Sequence, residues 1–117
     1  MARRKPKNTR KYRRMTVRVL VDYQAKGGIH CDYASTLGAG GMFLQTDLAL
    51  ERNDPVKVRF RIPGGQTLHE LEAKVTWAQS AHENFAGNLN VAGVGLQFTS
   101  AGAKQALAKE LEDYANL

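Results

Sequence analysis

The residues able to do chemistry lie in two stretches. One is Thr36-Leu37-Gly38-Ala39-Gly40-Gly41-Met42-Phe43-Leu44, where three glycines in four residues run straight into an apolar segment. Glycine at that density marks backbone that turns tightly, takes positive φ, or lets something approach closely. The other is the basic run Arg10-Lys11-Tyr12-Arg13-Arg14. A guanidinium fork can hold the oxygens of an anion bidentately. If the two stretches meet, they form a place for an anion.

The charge distribution singles out the same arm. The chain of 117 residues carries a net charge of +6, yet residues 1–18 hold nine Lys/Arg and no acid. The remainder has eight basic residues against eleven acidic ones, so the folded body is mildly acidic and the positive excess sits in the arm. Such an arm suits nucleic acid, an acidic membrane, a nucleotide or an acidic partner, or else serves only as a solvated tail. The length fits one domain with a modest core. A single cysteine, Cys31, makes no internal disulfide and points to a reducing compartment, the cytoplasm. No run approaches the ~18 apolar residues of a membrane span, and no apolar stretch of ~7–15 residues follows the basic start as in a signal peptide.

Catalytic constellations do not emerge. His30, His69 and His82 have no metal-ligand spacing, and His30 and Cys31 would point to opposite faces of a strand. Glu70 and Glu72 share a polar strand face and read as solvated. Ser35 has no nucleophile-elbow context, and Cys31 lies in a strand. The glycines lead into a strand and not a helix, unlike a Walker or Rossmann loop. The expectation is a non-enzyme with no catalytic residues, metal or cofactor.

The elements that position these residues are mostly strands. Residues 1–9 show no apolar periodicity. Val17, Val19, Val21 and Tyr23 alternate with polar neighbours, the period of a half-buried strand. Lys26-Gly27-Gly28 supplies a turn. Ile29, Cys31, Tyr33 and Leu37 alternate in a second strand, which runs into the glycines, and Met42–Thr46 is the third. After a turn at Arg52-Asn53-Asp54-Pro55 comes the cleanest alternation, Val56, Val58, Phe60 and Ile62. Pro63-Gly64-Gly65 leads to Leu71, Ala73, Val75 and Trp77 on one face of a fifth strand. Residues 79–92 read as a long polar loop before Gly93–Phe98, with Val94, Leu96 and Phe98 inward. Ser100 is placed to cap a helix carrying the stripe Ala103, Leu107, Leu111 and Tyr114. Six short strands argue for an antiparallel barrel or sandwich, with the helix covering an edge or one end.

Over residues 9–112 the order of elements resembles the PilZ domain family, bacterial receptors for cyclic di-GMP. Arg10-Lys11-Tyr12-Arg13-Arg14 fits the family's R-x-x-x-R before strand one, although Arg14 and Arg18 match the same pattern. Gly40-Gly41-Met42-Phe43-Leu44 fits the double glycine and apolar strand that follow its D/N-x-S-x-x-G motif. Val75-Thr76-Trp77 and Gly93–Phe98 look like its last two barrel strands. The second motif is degenerate: Thr36 stands at the Asp/Asn and Gly38 at the Ser, while Gly41 matches. The resemblance implies a mainly β, six-stranded antiparallel barrel over residues 15–117 with a C-terminal α-helix, preceded by a flexible basic arm over residues 1–14.

It also implies a ligand site. Cyclic di-GMP would be held by Arg10, Arg14, Thr36, Gly38, Gly40 and Gly41, with Arg13 and Tyr12 as additional contacts. The missing base-reading carboxylate or amide would cost about 1–3 kcal/mol and the missing hydroxyl about 0.5–1.5 kcal/mol. Three readings follow: a receptor that passes a second-messenger signal to a protein effector, an adaptor that has lost the nucleotide and works by protein contact, or a basic arm that binds nucleic acid or an anionic membrane. The chain is expected as a monomer or dimer.

Overall fold

A computed structural model describes the backbone of residues 14–79, 82–83 and 89–115 and the side chains of residues 16–79 and 91–113. Six strands close a barrel: β1 (Arg14–Ala25), β2 (Gly28–Gly38), β3 (Gly41–Leu44), β4 (Pro55–Phe60), β5 (His69–Gln79) and β8 (Gly93–Phe98). Their spatial order is β1-β2-β3-β8-β5-β4, and every neighbouring pair is antiparallel. Residues 79–92 are not simply a loop: β5 extends to Gln79, and β6 (His82–Glu83) pairs with β7 (Leu89–Asn90).

Alternation builds the wall. β4 buries Val56, Val58 and Phe60 and exposes Lys57 and Arg59, while β5 buries Leu71, Ala73 and Val75. These residues share one core with Val19, Val21, Met42, Leu44, Val94, Leu96 and Phe98. Helix α1 (Ala101–Ala115) adds Leu107 and Leu111 to that core, and His69 on β5 pairs with Glu110 on the helix. Tyr114 of the expected stripe has its side chain outside the described residues. Ser100 precedes the helix as expected, and its carbonyl accepts from Lys104 N–H. Its hydroxyl, however, accepts from the Glu72 N–H at 2.8 Å and ties the helix start to β5.

Two turns explain themselves. Lys26 and Gly27 have φ of 55° and 75°, the left-handed pair that a two-residue hairpin turn needs to follow the twist of its strands. The turn before β4 holds Asn53 at φ 75°, with Asn53 N–H donating to Val75 O at 2.7 Å.

The phase of β2 differs from its hydrophobic pattern. Ile29, Cys31 and Tyr33 face outward, whereas His30, Asp32 and Ala34 point inward. The reason is a polar group inside the barrel. The Tyr23 hydroxyl donates to Asp32 Oδ2 at 2.6 Å and bonds Thr46 Oγ1 at 2.8 Å. Thr46 in turn accepts from Leu48 N–H. A buried phenol must find partners, and β2 supplies one by turning Asp32 toward it. Burial, reinforced by Asp32, pushes the Tyr23 hydroxyl up to about 12.

Candidate functional site

Strand registry lines up the residues singled out above. One row across the sheet runs Arg14–Gly38–Gly41–Gln97–Lys74, each residue the cross-strand partner of the next. The second row lying on the same face runs Thr16–Thr36–Phe43–Gly95–Trp77. Between them lies the inward row that includes Leu37, Met42, Leu96 and Val75, all fully buried. The glycine stretch thus forms the β2–β3 connection, Gly38 pairing with Gly41 around Ala39-Gly40, and β1 begins opposite it. β1 starts at Arg14, three residues before the first residue of the alternation, so Arg14 is part of the strand. Arg10, Tyr12 and Arg13 lie outside the described residues.

The glycines do not earn their place through left-handed backbone, since the only positive-φ glycines among the described residues are Gly27 and Gly64. Close approach is the reason at Gly41, where a Cβ would run into the carbonyl oxygen of Leu96 on β8. Gly38 is buried and Gly40 partly so. The first row therefore raises no side chain between Arg14 and Gln97.

Thr36 is one of two threonines in the second row, the other, Thr16, being exposed. The Thr36 Oγ1 is buried and has no hydrogen-bond partner among the described residues. Such a hydroxyl costs about 1–3 kcal/mol when left unpaired, which makes it a position suited to an acceptor or donor brought by a ligand.

Beside Thr36 is a feature that alternation alone misses. Trp77 was expected to face inward with Val75, but a register shift between Val75 and Trp77 turns it to the outer face, 43% exposed. Its ring stacks on Phe43 with centroids 5.2 Å apart and planes 22° from parallel. A Cβ at Gly95 would overlap the indole, and one at Gly93 would overlap the Phe43 ring. The spacing Gly93-x-Gly95 next to two aromatics is the signal in the sequence: outward glycines leave room for rings lying flat on the sheet. Further register shifts fall between Thr16 and Val19 in β1 and between Ala34 and Thr36 in β2. Bulges re-aim side chains and gather beside functional sites, and three of them flank these two rows.

Chemically, the arrangement offers an arginine position, side-chain-free backbone, an orphan hydroxyl and an exposed aromatic face, with Lys74 and Gln97 exposed on the far side. Among the described residues no group of three His, Cys, Asp or Glu is placed to hold a metal, and no helix is long and apolar enough to cross a membrane.

Comparison with known proteins gives consistent results. The family model described as PilZ domain matches residues 8–116. No curated protein matches the sequence significantly. Among solved structures, the Bacillus subtilis inhibitor of motility (MotI/DgrA) is similar with a TM-score of 0.66 and 17% identity. That match covers 96% of this chain but only 54% of the other, so this chain spans about half of the inhibitor. The PilZ domain of YcgR from Escherichia coli, solved with c-di-GMP, gives a TM-score of 0.64 at 15% identity and covers 92% of this chain and 95% of that one. The PilZ domain of CeSA from a cellulose-synthesizing bacterium gives 0.60 at 18% identity, with 86% and 98% covered.

Proposed function

This chain belongs to the PilZ domain family, and on that premise we propose that it is a cyclic di-GMP receptor that passes the nucleotide signal to a protein effector. The observation that carries the reading is the pairing of Arg14 with Gly38, which sets the end of the arginine motif against the glycine connection. The solved YcgR domain with c-di-GMP supports the choice of ligand.

In this account the ligand lies over the two rows. The guanidinium groups of Arg10 and Arg14 hold phosphate oxygens or a guanine edge, with Arg13 and Tyr12 adding contacts. Gly38, Gly40 and Gly41 let the nucleotide lie near backbone. The Thr36 hydroxyl takes the place of the family's carboxylate or amide and gains the partner it otherwise lacks. A guanine stacks on the exposed face of Trp77, an interaction worth about 1–3 kcal/mol per base. This stacking offsets part of what the degenerate motif loses. The signal leaves the domain as a changed surface around the arm, which the effector reads.

Titration calorimetry with cyclic di-GMP tests the assignment. Arg10→Ala and Arg14→Ala are each expected to weaken binding by about 1.5–3 kcal/mol, the range for hydrogen bonds to charged groups. Unchanged affinity in both variants would overturn it. The substitutions at Thr36 and Gly38 favour a second reading, an adaptor that acts by protein contact without the nucleotide. Saturable, arginine-dependent binding of cyclic di-GMP would eliminate that alternative.

A further inference from the structure

The outer face of the β1–β2 hairpin is unlike that of β4 and the first half of β5. β4 and β5 present Lys57, Arg59, Glu70 and Glu72 to water, the usual outward side of a half-buried sheet. β2 instead presents Ile29, Cys31 and Tyr33 in succession, and Leu20 on β1 stands directly opposite Tyr33. Ile29 is 76% exposed, Leu20 52% and Tyr33 39%. A contiguous exposed apolar stripe marks an interaction surface. It runs from the hairpin turn to the Leu20–Tyr33 pair, midway between that turn and the Gly38–Gly41 connection.

Charge identifies the occupant. Arg18 and Asp22 flank Leu20 two residues to either side on the same exposed face, with opposite signs. Asp22 also lies 3.8 Å from Arg59 on β4 of its own chain, an exposed pair weak enough to leave the carboxylate available to a second cation. The Arg18 guanidinium is steadied 4.3 Å over the Tyr33 ring. A two-fold axis in the plane of the contact, perpendicular to the strands at the Leu20–Tyr33 pair, lays β1 antiparallel on a second β1. Leu20 then meets Leu20, Tyr33 meets Tyr33, and each Arg18 faces the Asp22 of the other copy. A face that is apolar at its centre and self-complementary in charge about that centre is what an isologous contact requires. We propose that the outer face of the β1–β2 hairpin is a homodimer interface, in which a second copy of this chain packs Leu20 and Tyr33 on their equivalents and pairs Arg18 with Asp22 twice.

Sedimentation velocity on the full chain, without nucleotide, tests this through charge reversal. The unsubstituted protein is expected to dimerise. Arg18→Glu alone places two acids opposite each other at both contacts, and Asp22→Arg alone places two cations there. Each is expected to weaken self-association at least about tenfold, because like charges face each other across the contact. An equimolar mixture of the two variants restores opposite charges at both positions and is expected to dimerise like the unsubstituted protein. All these sites are exposed, and circular dichroism checks that each variant stays folded. A monomer throughout at about 100 μM, the range of a weak association, would overturn the proposal. So would variants that dimerise as before, or a mixture that stays monomeric.

Discussion

At the scale of single residues, two hydroxyls carry opposite lessons. Thr36 Oγ1 is buried and unpartnered among the described residues, so Thr36→Val should leave thermal stability unchanged or raise it, because an apolar group of the same shape removes an unpaired acceptor. The same variant should weaken cyclic di-GMP binding by about 0.5–1.5 kcal/mol. Calorimetry and thermal melts on one sample separate the two effects, and parallel losses in both would contradict the role given to this side chain. Tyr23, by contrast, is fully paired with Asp32 and Thr46. Tyr23→Phe strands those two partners and should cost about 1–3 kcal/mol in denaturant unfolding. Its hydroxyl is raised from 10.0 to about 12 in the fold, so the unfolded chain loses that proton first as pH rises. The contribution is complete below pH 10 and falls away as the pH climbs toward 12; in Tyr23→Phe this part of the alkaline decline should be missing. These pairings also show why β2 was legible as a strand but not in its phase. Hydrophobicity assigns Ile29, Cys31 and Tyr33 to one face correctly, yet the buried phenol decides that this face is the outer one.

At the scale of elements, the site depends on how closely strands approach. Gly41→Ala puts a methyl group against the Leu96 carbonyl, and backbone cannot swing aside as a side chain can. A loss of about 1–3 kcal/mol is expected from the forced shift, measured by chemical denaturation. Gly95→Ala instead displaces the Trp77 ring, and should alter tryptophan fluorescence, since Trp77 is the chain's only tryptophan. Helix α1 is held by Leu107 and Leu111 in the barrel core, so Leu107→Ala should cost about 2–5 kcal/mol. Six barrel strands and the helix could be located from alternation, turn residues and the apolar stripe. The three register shifts could not. One extra residue in a strand reverses the phase of everything after it, and at Trp77 that reversal turned an expected core residue into an exposed ring. The orientation of Val56, Val58 and Phe60 was legible because β4 pairs with β5 in unbroken register from Pro55 to Phe60.

At the scale of the molecule, the barrel is closed, and the proposed site lies where β1 begins and β2 turns into β3. The family, and the barrel with its helix, could be recognised from the order of elements, since that order follows from local periodicity. The candidate site was legible only in part. Arg14, Thr36, Gly38 and Gly41 were visible as motif positions, and registry places them in two adjacent rows. Phe43 joins them through its pairing with Thr36 across the β2–β3 hairpin, whereas Trp77 joins them only through long-range pairing with Gly95. The most direct test of the account follows backbone amide and indole NMR signals during titration with cyclic di-GMP. It predicts saturating shifts concentrated at Thr36, Gly38, Gly40, Gly41 and the Trp77 indole N–H, lost in Arg14→Ala. Shifts confined to the outer face of β4 around Lys57 and Arg59, or no shifts at saturating nucleotide, would contradict it.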